Sequence, residues 1–144
     1  MEKKYQVTGI AIGGRNGNVY TSDNQFKTKL SFPKELGGDG SSINPEQLFA
    51  SGYAGCFSQA ALVVAQQLGI DSSKAPQVEV TVQLYIDQAT GFHIKVGIEG
   101  VFKDWDQKQA EEFMVKCHKT CPYSKLIKDE NLLYVKANGV IVKI

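Results

Sequence analysis

The sequence predicts an α+β fold, on three observations. Runs of alternating apolar and polar residues cluster before, between and after two helical segments. One of those helical segments, residues 44–68, is apolar on nearly every side. The order is strands, helix, strands, helix, strands, without the alternating strand–helix rhythm of a Rossmann sheet. A chain of 144 residues is long enough for one domain with its own core. No internal repeat or long linker divides it, so residues 1–144 read as a single domain.

Each element has a local reason. "YQVTGIAI", residues 5–12, alternates loosely and predicts a strand. "GGRNG", 13–17, predicts a tight hairpin, with Asn16-Gly17 as the pair that tolerates positive φ. "NVYTSD" and "KTKLSF" predict two more strands, giving an N-terminal antiparallel meander. Pro- and Gly-rich residues 33–43 predict a loop. Asn44 is a good N-cap, Pro45 suits the first helical position and Gln47 completes a capping box. The helix then runs to about Leu68, with Gly69 as the stop. "QVEVTVQLYID", 77–87, is a cleanly alternating strand, and "GFHIKVGIEGVF", 91–102, is its hairpin partner. Residues 104–119 place Ala110, Phe113, Met114 and Cys117 on one helical stripe. "TCPYSKL" reads as a turn. "LLYVKA" and "VIVKI" form a last hairpin around Asn138-Gly139. The second sheet is expected to be antiparallel.

Composition narrows the function. Charged residues are 22%, hydrophobic residues 42%, and the net charge is +1. That balance argues against nucleic acid or an anionic membrane as a partner. "MEKKYQVTGIA" reads as strand rather than as a signal peptide, and Gln47, Ser51, Ser58 and Gln59 interrupt the apolar helix, so a membrane span is not expected. The cytosol is the expected location, where three cysteines act as core, ligand or catalytic groups rather than as a disulfide framework.

Cys56 and Cys121 carry the chemical interest. Cys56 lies in the apolar helix among small residues, Ser51, Gly52, Ala54 and Gly55. Cys121 precedes Pro122, in a turn where a thiol is expected to be exposed and mobile. Two such thiols suit peroxide reduction: one is oxidised to a sulfenic acid and the other closes a disulfide on it. The alternative for either is a small buried hydrophobe. Burial in an apolar helix raises a thiol pKa, so a reactive Cys56 needs a cation. Arg15 is the candidate, with Glu46 to hold its guanidinium bidentately. Their ordinary roles would be a solvated turn residue and a carboxylate at a helix N-terminus. Phe49, Tyr53 and Phe57 flank Cys56 as core residues or as walls of an apolar pocket. "CHKTC" lacks a fourth ligand nearby and His93 stands alone, so no metal site is expected, and Cys117 continues the core stripe.

"GGRNG", "ELGGDGSSINPEQLFASGYAGCF" and "CPYS" together resemble the organic hydroperoxide resistance (Ohr) branch of the Ohr/OsmC family. The resemblance runs in order from about residue 9 to 125. It implies an OsmC-like fold in an intertwined homodimer with active sites at the subunit interface. It implies a thiol peroxidase that reduces organic hydroperoxides, with Cys56 peroxidatic, Cys121 resolving, and Arg15 with Glu46 as the activating pair. It implies no bound cofactor, and reduction by an external dithiol, typically a protein-bound dihydrolipoyl group. After Ser124 the chain departs from the family's usual Asn-Ala-Thr-Arg-Gly type run and reads "KLIKDENLLYVKANG". A non-catalytic redox-sensing or ligand-binding member of the same fold is the alternative.

The spacing of Glu46 and Cys56 sets a constraint. Ten residues of continuous helix rise about 15 Å, too far for one guanidinium to serve both. Either the helix breaks near Gly52 or Gly55, or the two residues of one site come from different chains. The uninterrupted apolar character favours the second.

Overall fold

A computed structural model describes all of residues 1–144. The chain falls into two compact units, Met1–Leu48 and Phe49–Ile144.

The first unit is the expected antiparallel meander: β1 (Gly9–Ile12), β2 (Asn18–Thr21) and β3 (Lys27–Lys29), in that order. β1 is shorter than the sequence suggested. Its partner β2 has only four residues, and the pairing runs from Gly9 opposite Thr21 to Ile12 opposite Asn18. The β1–β2 connection also differs. Positive φ falls on Gly13 (86°) and Gly14 (63°), not on Asn16-Gly17, and Gly14–Asn16 form one 3-10 turn. Gly17 is required for another reason: a Cβ there would lie 1.8 Å from the Ile12 carbonyl oxygen. The 33–43 loop is tied at its far end to the residues that precede it. The Ser31 hydroxyl donates to the Ser42 carbonyl at 2.9 Å and accepts from the Ser42 amide at 2.7 Å.

Helix α1 (Pro45–Gln67) starts as its sequence dictates. Asn44 Oδ1 accepts from the Gln47 amide at 2.9 Å, and Gln47 Oε1 accepts from the Asn44 amide at 2.9 Å, a complete capping box. Gly69, at φ 67°, takes the chain out of the helix. α1 is unbroken at Gly52 and Gly55, which removes the first of the two options for the Glu46–Cys56 spacing.

The second unit holds a four-stranded sheet in the order β4 (Gln77–Asp87), β5 (Gly91–Val101), β6 (Leu132–Ala137), β7 (Val140–Ile141). β4 and β5 pair along their whole length, from Gln77 opposite Val101 to Asp87 opposite Gly91. The sheet is mixed, not antiparallel, because β6 runs parallel to β5. The crossover between them is helix α2 (Gln107–Thr120) followed by the short helix α3 (Pro122–Leu126), so one strand–helix–strand unit is present. α2 begins three residues later than its apolar stripe suggested. Asp106 is its N-cap and accepts from the Gln109 amide at 3.0 Å. Asn138 (φ 48°) and Gly139 (φ 80°) make the expected final hairpin.

One core fills this unit. It takes Tyr53, Phe57, Ala60, Ala61, Val64 and Ala65 from α1, Val96 and Ile98 from β5, Phe113, Met114 and Cys117 from α2, and Val135 and Ala137 from β6. Phe102, Trp105 and Phe113 close one end edge to face, with ring centroids 4.9 to 5.8 Å apart. By length and composition alone α1 is apolar enough to cross a membrane, a test that an apolar core helix passes equally. Its six buried residues show why such a helix also suits a core.

Candidate active site

Arg15 and Glu46 meet within the first unit. The left-handed Gly13 and Gly14 lead into the 3-10 turn that carries Arg15, while Glu46 sits in the first turn of α1. The guanidinium engages both carboxylate oxygens: Nη1 donates to Oε2 at 2.7 Å and Nη2 to Oε1 at 2.5 Å. This is the two-pronged pairing that arginine makes and lysine does not. The Arg15 hydrogen bond holds the Glu46 carboxyl below its usual range, and the Glu46 hydrogen bond raises Arg15. The side chains are 30% and 14% exposed, so the pair is partly screened, and a stabilisation of about 1 kcal/mol is the appropriate scale.

Cys56 and Cys121 meet within the second unit. Both are free thiols, and Cys121 Sγ donates to Cys56 Sγ across 3.7 Å. Cys121 is both the end of α2 and the residue before α3. Its amide still donates to the Cys117 carbonyl at 2.9 Å, while its own φ/ψ of −64°/122° is extended. Pro122 has no N–H to continue α2 and opens α3 instead. The resulting corner turns the thiol inward. Cys121 is therefore fully buried, not exposed and mobile as a Cys-Pro turn suggested. The segment read from sequence as a turn holds the short helix α3 directly after this thiol.

The environment of Cys56 favours the protonated form. Burial is the main cause of its raised pKa, the Cys121 thiol adds to the effect, and the Tyr123 backbone amide pulls the other way. Cys117 is pushed up to about 12, chiefly by burial, and belongs to the core as expected. The Tyr53 phenol is likewise raised to about 12, mainly by burial, and bonds Ser124 Oγ at 2.9 Å. Its ring lies 5.7 Å from that of Tyr123. Tyr123 and Ser124 thus tie α3 to α1 beside the two thiols. The "CPYS" stretch by itself points to neither of these two residues as part of the site. The available signal was their place directly after Cys121.

The three aromatic candidates separate. Tyr53 and Phe57 have no exposed surface, so they are core rather than open wall. Phe49 lines a hollow of about 210 Å³ with Ile94, Val96, Ile127 and Asn131. Its ring sits 5.9 Å from that of Tyr53.

A two-sheet α+β chain with a reduced thiol pair between its long helix and a Cys-Pro corner defines a narrow class. Residues 38–135 match the model of the OsmC-like protein family. An organic hydroperoxide resistance protein-like chain of Mycoplasma genitalium is 47% identical over 136 residues, covering 94% of this chain and 96% of that one. OhrB, the organic hydroperoxide resistance protein of Bacillus subtilis, superposes with a TM-score of 0.77 at 34% identity, covering 92% of this chain and 96% of that one. A Vibrio cholerae chain, solved as an organic hydroperoxide resistance protein with captopril in one of its active sites, gives a TM-score of 0.90 at 38% identity. There the coverage is 99% and 97%. The chain belongs to the OsmC-like family, on the branch of the organic hydroperoxide resistance proteins.

Proposed function

We propose that this protein is a cytosolic thiol peroxidase that reduces organic hydroperoxides to alcohols. The observation that carries the reading is the Cys121 thiol hydrogen-bonded to Cys56 at 3.7 Å. The Cys56 thiolate attacks the terminal peroxide oxygen. The O–O bond breaks, the alkoxide takes a proton and leaves as alcohol, and Cys56 becomes a sulfenic acid. The Cys121 thiol then attacks the sulfenic sulfur, expelling water and forming the Cys56–Cys121 disulfide. An external dithiol, of the dihydrolipoyl kind carried on a protein, returns two electrons and two protons.

Arg15, held by Glu46, supplies the positive charge that offsets the burial of Cys56. Because α1 is continuous, the pair acts on the Cys56 of a second copy of the chain, in a homodimer. Phe49 contributes the apolar wall for the organic part of the substrate, with Tyr53 and Phe57 fixing it from the core. The names of the relatives support organic peroxide as the substrate class. Burying each substrate methylene adds about 0.8 kcal/mol of preference over hydrogen peroxide.

The test is turnover of cumene hydroperoxide with dihydrolipoamide as reductant. The native protein should turn over continuously. Cys121→Ser should consume about one equivalent of peroxide and then stall or over-oxidise, as a thiol without a partner does. Mass spectrometry should find a Cys56–Cys121 disulfide in the treated native protein. A dominant Cys117–Cys121 linkage, or oxidation without turnover as in a redox sensor, would defeat the reading.

A further inference from the structure

We propose that the buried hydrogen bond between Tyr53 and Ser124 positions Cys121 for disulfide closure, so that Cys56 is resolved before a second hydroperoxide reacts with it. The inference rests on the proposed peroxidase cycle and assigns two positioning residues to its second step. Both act here through Cys121.

Two contacts join α1 to α3. Tyr53 and Cys56 stand three residues apart on α1, which makes them neighbours on one face of the helix. Cys121 and Ser124 are likewise three residues apart, the first the N-cap of α3 and the second inside it. They pair in antiparallel order. Tyr53 Oη bonds Ser124 Oγ at 2.9 Å, and Cys121 Sγ donates to Cys56 Sγ across 3.7 Å. One contact alone would let α3 pivot about it. Two contacts, three residues apart on each side, fix the direction in which the Cys121 thiol points. Both hydroxyls are buried, and each finds its hydrogen bond in the other. Cys121 moves with Ser124, because its carbonyl accepts from the Lys125 amide of α3 at 3.1 Å.

The second step is where this geometry counts. After peroxide attack Cys56 carries a sulfenic hydroxyl. The Cys121 sulfur attacks the Cys56 sulfur, the S–O bond breaks and the S–S bond forms. The hydroxyl leaves as water with the Cys121 proton. The sulfurs must close from 3.7 Å to about 2 Å. The competing step is oxidation of the sulfenate by a second hydroperoxide, which gives a sulfinic acid and an alcohol. Which step wins depends on how well Cys121 is placed, and a misplacement of about 1 Å costs on the order of a hundredfold in such a reaction.

Variants separate positioning from stability. Ser124→Ala and Tyr53→Phe each leave the other hydroxyl buried without a partner, so each should lower the denaturation midpoint in urea. Tyr53→Phe/Ser124→Ala removes both hydroxyls, and its midpoint should return toward the native value. The reduced proteins are treated with cumene hydroperoxide, and mass spectrometry divides oxidised Cys56 between disulfide and sulfinic acid. That ratio does not depend on how fast the first peroxide reacts. At equal hydroperoxide the ratio of sulfinic acid to disulfide should rise about tenfold or more in all three variants. A double variant that resolves like the native protein overturns the proposal, whether or not the single variants are impaired. A second arm uses no hydroperoxide. The native protein and the double variant are equilibrated in a dithiothreitol redox buffer, where the Cys56–Cys121 disulfide should be about tenfold less favoured in the variant. Equal disulfide formation in the two proteins also overturns the proposal. A disulfide that is weakened in the variant, in a native protein that turns over no hydroperoxide, would sustain the positioning pair and defeat the peroxidase reading instead.

Discussion

At the scale of single residues, the decisive quantity is the charge state of Cys56. Its burial raises the thiol pKa, so at neutral pH the less reactive protonated form is favoured. A cation stabilises the thiolate and moves the pKa down. Arg15 is suited to that part because Glu46 fixes its guanidinium through two hydrogen bonds. Glu46, held below its usual pKa, stays ionised through the neutral range. The stabilisation it gives is present above the ordinary carboxylate pKa and is lost as pH falls through the depressed one. The prediction is that Arg15→Ala shifts the pH midpoint of Cys56 alkylation upward and slows peroxide attack at neutral pH. Each unit of upward shift removes about tenfold in thiolate below the midpoint. The fold should survive, since the lost pair stabilises by only about 1 kcal/mol. An alkylation profile identical to that of the native protein would remove Arg15 from the mechanism.

At the scale of elements, the parallel pairing of β5 with β6 positions α2 and α3, and with them Cys121. Glycine makes that pairing possible. Gly97 lies opposite Tyr134, and a Cβ at 97 would come within 2.2 Å of the Tyr134 ring. Gly100 is similarly close-packed, with Met114 Sδ 2.6 Å from where its Cβ would be. Gly97→Ala should therefore destabilise the protein by about 1–3 kcal/mol, the scale of overpacking. The denaturation midpoint in urea should fall. Adding Tyr134→Ala should recover part of the loss, because it removes the atoms that clash. A Gly97→Ala protein as stable as the native one would show that Tyr134 moves aside freely. Most elements were legible because their signals are local: the capping box at Asn44 and Gln47, the alternation of 77–87, the stop at Gly69. The direction of β6 was not, because side-chain alternation is the same in parallel and antiparallel strands. Nor was the burial of Cys121, which depends on a five-residue helix too short to show a period. The residue types of the site were readable, and so was the pairing of Arg15 with Glu46. The roles of Tyr123 and Ser124 were not, because their contacts to α1 cross about 70 residues of chain.

At the scale of the whole molecule, the question is what covers the apolar surface left open. The far end of the β4–β5 hairpin carries Ile86 opposite Phe92, 70% and 61% exposed, with Tyr85 and Ile94 beside them. Only 33% of the most apolar stretch of α1 is buried, and Ser51, Gly52, Gly55, Gln59, Leu62 and Gln66 line an exposed stripe along it. Small residues on such a stripe let another backbone approach closely. Burying each large side chain contributes about 1.5–3 kcal/mol, and the proposed two-fold pairing would draw on such burial at Leu62 and through close backbone approach along α1. The proposed pairing would also answer the spacing of Glu46 and Cys56, ten residues apart on one unbroken helix, by letting one chain activate the thiol of the other. Mixing separates this from a self-contained site. Cys56→Ser has no peroxidatic thiol, and Glu46→Ala leaves Arg15 unheld, so each alone should have little or no activity. Co-refolded, they form heterodimers in which the intact Cys56 of one chain faces the intact Arg15 and Glu46 of the other. Those heterodimers should regain one working site of two. Native mass spectrometry confirms that they form, and peroxide turnover measures the recovery. Heterodimers without activity would confine each site to a single chain, and the activating charge on Cys56 would then have to come from a residue other than Arg15.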